Sequence, residues 1–470
     1  MTAESVTHVP QWKPVLLGAL AGGLGWGIRG QYGHETGAMI AGLLVSLVLV
    51  FLLCPQRPSQ PVARAVAWGT LAMGFGGSMT YGQTIGLTQD GPLIGQWAAL
   101  GWGMLGLAIK GGLWIGFAGA FLGMGLGGLR YRPVDLLLVW LGMLALVAVG
   151  IWVLNEPFDP ARRVLPPIYF SDDWRWEPTA TLKPRREVWG GLFFALTGLL
   201  AYLHWGKRDP LATRLALWGV LGGALGFPLG QCLPAFHAWN PEIFRTGFWV
   251  TLDPLLNWWN FMETTFGAVM GAALGLGLSL HRQRLHFPEK PEFPLLPQPL
   301  ELALLGLHLF LLISVEFLSI KAVDRLYDFG LGLGLIPVVA VAGGRWWPWL
   351  VMLPITLLPI AVKTRRALLE ENPLQTPEIG GLIYVVLPLA FTTAAAIYLG
   401  RTRFGAASSA TWLGPVLLAT TWLYFGLNFA FFRFPWPWQA WTARTPNGLV
   451  FSLCAVGLTW AALSRRPSKN

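Results

Sequence analysis

Apolar residues run along this chain in stretches too long and continuous for the one-sided helices or strands of a soluble fold. They occupy 14–30, 37–53, 64–87, 96–129, 134–153, 188–205, 212–235, 257–281, 299–320, 326–343, 347–362, 380–400, 409–431 and 447–463. A helix that crosses the hydrocarbon layer of a bilayer takes roughly 20 apolar residues. Short segments rich in Pro, Gly and charge separate these stretches. The pattern predicts an all-α protein, a polytopic transmembrane helical bundle of about 14 helices. The stretch 96–129 is too long for one straight helix and carries Lys110-Gly111-Gly112 near its middle. It reads as one bent helix or as two crossings.

Basic clusters orient such a bundle, because Lys and Arg collect on the cytoplasmic side. With an even number of crossings and a cytoplasmic N-terminus, that side receives Arg57/Arg64, Arg130/Arg132, Lys207/Arg208/Arg214, Arg282/Arg284/Lys290, Arg345, Arg401/Arg403 and Arg465/Arg466/Lys469. This arrangement takes 96–129 as one bent helix. Two outer segments run against it, 155–187 and 363–372 (KTRRALLEEN). The predicted organisation is a cytoplasmic tail at 1–13, a Gly-rich transmembrane domain at 14–281 with an outer loop at 155–187, a cytoplasmic linker at 282–298, a second transmembrane domain at 299–463, and a basic cytoplasmic tail at 464–470. Met1 to Lys13 is polar and has no apolar signal core, so the first apolar run reads as an uncleaved anchor. The expected location is a bacterial plasma (inner) membrane with both termini cytoplasmic.

Composition narrows the picture further. Of 470 residues, 54% are hydrophobic and only 12% are Asp, Glu, Lys or Arg, about half the charged share of a soluble globular protein. A soluble enzyme and a disordered chain both need more charge than this. The three cysteines, Cys54, Cys232 and Cys454, are far apart and form no CxxC pair, which excludes a disulfide scaffold and predicts buried free thiols. A formal charge of +10 in a soluble chain would suggest nucleic acid. Here the basic residues sit between apolar runs, with no basic stripe interleaved with aromatics, so no nucleic-acid partner is expected. The partner is the lipid bilayer.

The glycines are unevenly placed. GALAGGLGWGIRGQ (18–31), GTLAMGFGGSMTYGQ (69–83) and GVLGGALGFPLGQ (219–231) resemble one another and each ends in Gly-Gln. Two of them lead on to HETGAMIAG (34–42) and METTFGAVMGA (262–272), and 111–127 is a weaker counterpart without the Glu. A parallel internal repeat in the N-terminal half follows, its Gly-Gln ends gathered on the outer side. The first use of these glycines is close helix contact, because lipid does not drive helices together and small residues let backbones touch. A dinucleotide motif is excluded, since no strand precedes them.

Polar residues stranded at membrane depth are costly and face a cavity or one another. The strongest group is WGIRGQYGHETG (26–37), with Arg29, Gln31, His34 and Glu35 between two apolar helices. Pairing of Arg29 with Glu35 at the headgroup level is the plainer reading. QCLPAFHAWNPE (231–242) adds Gln231, His237, Asn240 and Glu242, and NWWNFMETT (257–265) puts Asn257, Asn260 and Glu263 on one helical face. Arg29, Gln31, His34, Gln83, Gln231, His237 and Asn260 are the candidate substrate-binding residues, and Glu35 and Glu263 the candidate proton carriers. No HExxH or compact ligand set predicts a metal. No cofactor and no catalytic residue can be assigned. Lys110 either snorkels or serves as a coupling charge. Glu316, Lys321, Asp324, Arg325 and Asp328 read as a structural ion-pair knot.

Three functions fit this pattern. The first is a transporter or permease for a small polar or anionic solute, with its site toward the outer side. The second is a membrane-embedded transferase-like enzyme acting at the outer face on a lipid-linked or sugar substrate, with Tyr169, Trp174 and Trp176 to stack on it and Asp172 and Asp173 as acid, base or metal ligands. The third is a structural subunit of a membrane complex, its protein partners unknown. Trp436, Trp438 and Trp441 read as interfacial anchors.

Overall fold

A computed structural model describes every residue except 1–8, 80, 172–183, 288–293, 319, 329–333, 372–376, 403–407, 433–440 and 465–470. The described chain is helical throughout, with two isolated bridges and no strand. The N-terminal helices are α1 (Trp12–Arg29), α2 (Glu35–Leu53), α3 (Ser59–Gly76), α4 (Gly82–Gln89), α5 (Trp97–Leu126), α6 (Pro133–Leu154), α7 (Trp189–Ala201), α8 (Pro210–Trp239), the short α9 (Pro241–Phe244) and α10 (Trp249–Leu252), and α11 (Trp258–Leu280). The C-terminal ones are α12 (Gln298–Phe317), α13 (Lys321–Asp328), α14 (Ile336–Gly343), α15 (Trp347–Leu350), α16 (Thr356–Glu371), α17 (Pro377–Gly381), α18 (Leu387–Thr402), α19 (Leu413–Phe432) and α20 (Thr445–Ser464). Among the described residues, ten helical segments are long and apolar enough to cross a membrane. The protein is a multi-pass integral membrane protein.

Several expected crossings take a different form. The stretch 96–129 is a single 30-residue helix, α5. The stretch 64–87 is not one span: α3 ends at Gly76 and α4 begins at Gly82. Gly77, just past the end of α3, lies against the turn between α1 and α2, where a Cβ would collide with the His34 carbonyl oxygen. In the stretch 326–343, residues 329–333 lie outside the described residues, and α14, which follows them, has 8 residues, too few to cross by itself.

Six helices form a closed ring in the order α1, α11, α8, α5, α3, α2 and back to α1. Glycine makes most of its seams. A Cβ at Gly22 would strike the Gly267 carbonyl, and one at Gly267 would strike that of Gly22. Gly18 and Gly271 exclude one another in the same way, as do Gly111 and Gly223 between α5 and α8. Backbone lies directly on backbone at these points, which side chains larger than hydrogen prevent. The matched positions show that ring neighbours are antiparallel: as numbers rise along one helix they fall along the next. Accordingly α1, α3 and α8 run one way and α2, α5 and α11 the other.

Aromatic side chains fill the ring. Trp26 of α1 meets Trp114 of α5 edge-on at 5.0 Å and Phe266 of α11 at 4.4 Å, and Phe227 of α8 stacks on Phe266 at 4.6 Å. The C-terminal helices pack outside the ring, with α16 and α19 against α2, α14 and α15 against α3, and α19 and α20 against α1. Large apolar side chains cover the periphery, including Leu138, Trp152, Phe391 and Leu453. In water such a surface would be a liability, and in lipid it is the matching face.

Candidate functional site

The site lies where α1, α3 and α8 finish, at one mouth of the ring. Helix α1 runs to Arg29 and tightens into a 3-10 turn over Gly30–Tyr32. Gly33 follows at φ +89°, a left-handed conformation that glycine accepts at no steric cost, and the chain reverses into α2. The reversal turns Arg29 inward, where it is 1% exposed. Gly30 provides the space beside it, since a Cβ there would lie 2.7 Å from Glu263 Oε2.

Arg29 Nη2 donates to Glu263 Oε1 at 2.9 Å, and Glu263 is likewise 1% exposed. The Tyr81 hydroxyl and the Trp259 indole N–H donate to that same oxygen, each at 3.1 Å. Asn260 Nδ2 donates to Glu263 Oε2 at 3.2 Å and to the Gly27 carbonyl at 3.3 Å. Arg444, just before α20, donates from Nη1 to Asn260 Oδ1 at 2.9 Å. The carboxylate thus accepts from donors on both oxygens, as a buried anion requires.

Three rings enclose the guanidinium. Its carbon lies 5.0 Å from the Trp26 ring, 5.1 Å from Tyr81 and 5.8 Å from Trp114, within cation–π range. His34 packs edge-on against Tyr81 at 5.1 Å and beside Trp114 at 6.3 Å. Burial, then the Arg29 and Arg185 charges, pull the His34 imidazole down to about 4. It is therefore neutral at physiological pH. Three buried nitrogens in this cage have no hydrogen-bond partner among the described residues: Arg29 Nε, Trp26 Nε1 and His34 Nδ1.

The expected site residues divide between this cage and its surroundings. Arg29, His34, Asn260 and Glu263 meet there. Glu35 opens α2 and bears electrostatically on Arg29, but Glu263 is the acid that pairs with the guanidinium. Gln31 and Gln83 are half-buried, one inside the 3-10 turn and the other two residues beyond Tyr81. Gln231 does not reach the cage. Its Nε2 donates to Thr88 Oγ1 at 2.8 Å and Gln89 Oε1 at 2.9 Å, fastening α8 to α4. His237 does not reach it either: its Nε2 is 2.9 Å from Asp253 Oδ1, and its ring stacks on Trp258 at 4.8 Å. Asn257 caps α11 by accepting from the Asn260 backbone N–H at 3.0 Å.

Four contributors carried no sequence signal that set them apart. Tyr81, Trp259, Trp114 and Arg444 are ordinary members of aromatic or loop segments until the fold assembles them. Trp259 stands four residues before Glu263 on one helical face, a spacing too common to single it out.

Lys110 neither snorkels nor stands alone. It is buried in α5 and donates to Glu187 Oε1 and Thr84 Oγ1, each at 2.8 Å. Glu187 Oε2 accepts from the Phe170 backbone N–H at 3.0 Å and the Trp189 indole at 3.2 Å. This second buried pair fastens the described ends of the 155–187 segment, at Phe170 and Glu187, to α4 and α5. Tyr169 belongs to the same fastening, with its hydroxyl donating to the Arg185 carbonyl at 3.0 Å. Asp172, Asp173, Trp174, Trp176, Trp436 and Trp438 lie outside the described residues. In the expected ion-pair knot, Glu316 pairs instead with Lys363 at 3.1 Å, and Lys363 also donates to the Tyr32 carbonyl at 3.0 Å. The side chains of Arg325 and Asp328 are outside the described set. Among the described residues no three His, Cys, Asp or Glu side chains gather as a metal set.

No family profile, curated protein or solved structure matches this chain.

Proposed function

We propose that this protein is a membrane transporter for a small polar or anionic solute, working through the six-helix ring. The observation that carries the reading is the Arg29–Glu263 pair, buried at one mouth of that ring over an aromatic filling. Two opposite charges removed from water gain little net stability over well-packed apolar residues. Their use lies in what they exchange. Arg29 offers donors to a solute, and Glu263 takes and gives up a proton as its partner changes. The rings of Trp26, Trp114, Phe227 and Phe266 close the path beyond. The domain 14–281 carries transport, and the helices of 299–463 brace it through Lys363 and the turn at Tyr32.

In this reading the ring is three helical hairpins, α1–α2, α3–α5 and α8–α11, related as a parallel internal repeat. The common direction of α1, α3 and α8 supports it, as do the Gly-Gln pairs near one mouth. That mouth faces outward, both termini are cytoplasmic, and the membrane is a bacterial inner membrane. Purified protein in proteoliposomes, offered a panel of labelled small solutes, tests the function. Uptake above protein-free vesicles, lost in Glu263→Gln, is the expected result. Absence of flux for every solute from a folded, correctly inserted protein would sink it.

A further inference from the structure

The cage around Arg29 is built asymmetrically. On one side the guanidinium gives Nη2 to Glu263. Elsewhere in the cage, Arg29 Nε and Trp26 Nε1 are buried without partners among the described residues, on side chains of residues 1% and 0% exposed. An unmade hydrogen bond from a buried donor costs on the order of 1–3 kcal/mol. The guanidinium carbon lies 5.0 Å from the Trp26 ring, so the two donors belong to adjoining groups, and an acceptor with two oxygens, a carboxylate, suits them. Gln31, Gly33, His34 and Glu35, in the turn that follows Arg29, are half-buried.

Resting on the transport reading above, we infer that the solute is a small monocarboxylate, seated on Arg29 Nε and the Trp26 indole N–H, that enters with one proton. One cation stands in the cage and Glu263 already neutralises it. A second anion there leaves two carboxylates on one guanidinium, which burial makes untenable. The balance is restored when Glu263 takes a proton from the solution the solute came from. The guanidinium then belongs to the solute. On release at the other face, Glu263 loses that proton and recovers Arg29, so anion and proton cross together without net charge.

The groups that bear on this exchange come from every neighbouring element. Glu35 from α2 and Arg444 before α20 act on the pair, Tyr81, Trp259 and Asn260 hold the carboxylate, and His34 and Arg185 flank the rim. The wall of three rings sets the size limit, and Arg29, the one cation within those rings, favours a monoanion over a dianion. Neutral solutes gain nothing from a charged seat.

The test uses the full-length protein in proteoliposomes with labelled glycolate, lactate, malonate and glycerol, and internal pyranine to follow protons. Lactate or glycolate is expected to enter with acidification of the lumen above protein-free vesicles, while malonate and glycerol do not. Trp26→Phe keeps the ring and deletes one donor, and should raise the KM for the monocarboxylate about tenfold. A companion measurement on detergent-solubilised protein follows the midpoint of thermal unfolding with added lactate. Lactate should raise it for the wild type and much less for Trp26→Phe. Glycerol entering while both monocarboxylates stay outside overturns the inference and leaves transport standing. Lactate stabilisation without flux of any solute overturns transport and leaves the carboxylate seat. An unchanged KM and an unchanged lactate shift in Trp26→Phe overturn the seat.

Discussion

A guanidinium and a carboxylate taken out of water each lose several kcal/mol of hydration, and their mutual attraction returns only part of it. Every substitution at Arg29 or Glu263 is read against that balance. Glu263→Gln leaves a buried positive charge without its counterion, and unfolding should become easier by ~3–5 kcal/mol. The double variant Arg29→Met/Glu263→Leu removes both charges and should recover most of that loss while carrying no solute. Thermal unfolding in detergent, paired with flux, separates the two effects; a double variant as unstable as the single one would deny that the pair is held for its chemistry. His34 gives a pH signature. Its imidazole titrates at about 4 in the folded protein against 6.5 unfolded, because burial and the Arg29 charge disfavour the proton. Between those values the unfolded chain binds more protons, so stability is full above 6.5 and declines as pH falls toward 4. Melting midpoints at several pH values should show this slope, and His34→Phe should flatten it. Arg29, His34, Asn260 and Glu263 were legible in sequence because charged or polar groups stand out within apolar runs. Tyr81, Trp259 and Arg444 were not, because their role comes from donors meeting one carboxylate across helices distant in sequence.

At the level of elements, the glycine seams decide which helices touch. Gly223 lies so close to the Gly111 carbonyl that even one methyl cannot enter, whereas Gly142 on α6 has open space around it. Gly223→Ala should therefore cost ~1–3 kcal/mol by overpacking. Gly142→Ala should be neutral or stabilise by ~0.5–1 kcal/mol through helix propensity. Melting temperatures of the two variants provide the comparison, and equal effects would mean that the α5–α8 seam is not the close contact described. The glycine-rich runs were visible in sequence as packing helices. Their partners were not, because a glycine marks the site of an approach without saying which backbone approaches. The same limit explains why 64–87 looked like one span. Gly77, just past the end of α3, lies against the His34 carbonyl of another turn, a contact that the run of residues does not announce.

For the whole molecule, the ring, the braces outside it and the apolar periphery make a testable statement about orientation. Helix α6 spans Pro133–Leu154, so positions 132 and 163 lie beyond its opposite ends. In a background lacking Cys54, Cys232 and Cys454, Arg132→Cys should label with a membrane-impermeant maleimide only in inverted vesicles. Arg163→Cys should label in intact cells. Labelling of both from one face would remove the proposed topology. The sequence by itself determined the solvent: apolar runs and scarce charge set a helical membrane protein, since an unpaired backbone cannot lie in lipid. It also singled out the polar residues costly enough there to need a reason. Tertiary structure alone decided which of them meet. Arg29 and Glu263 are 234 positions apart, and Lys363 reaches the Tyr32 carbonyl across 331. Those pairings depend on how six helices close into a ring, and a hydropathy pattern describes each helix against lipid without describing any helix against another.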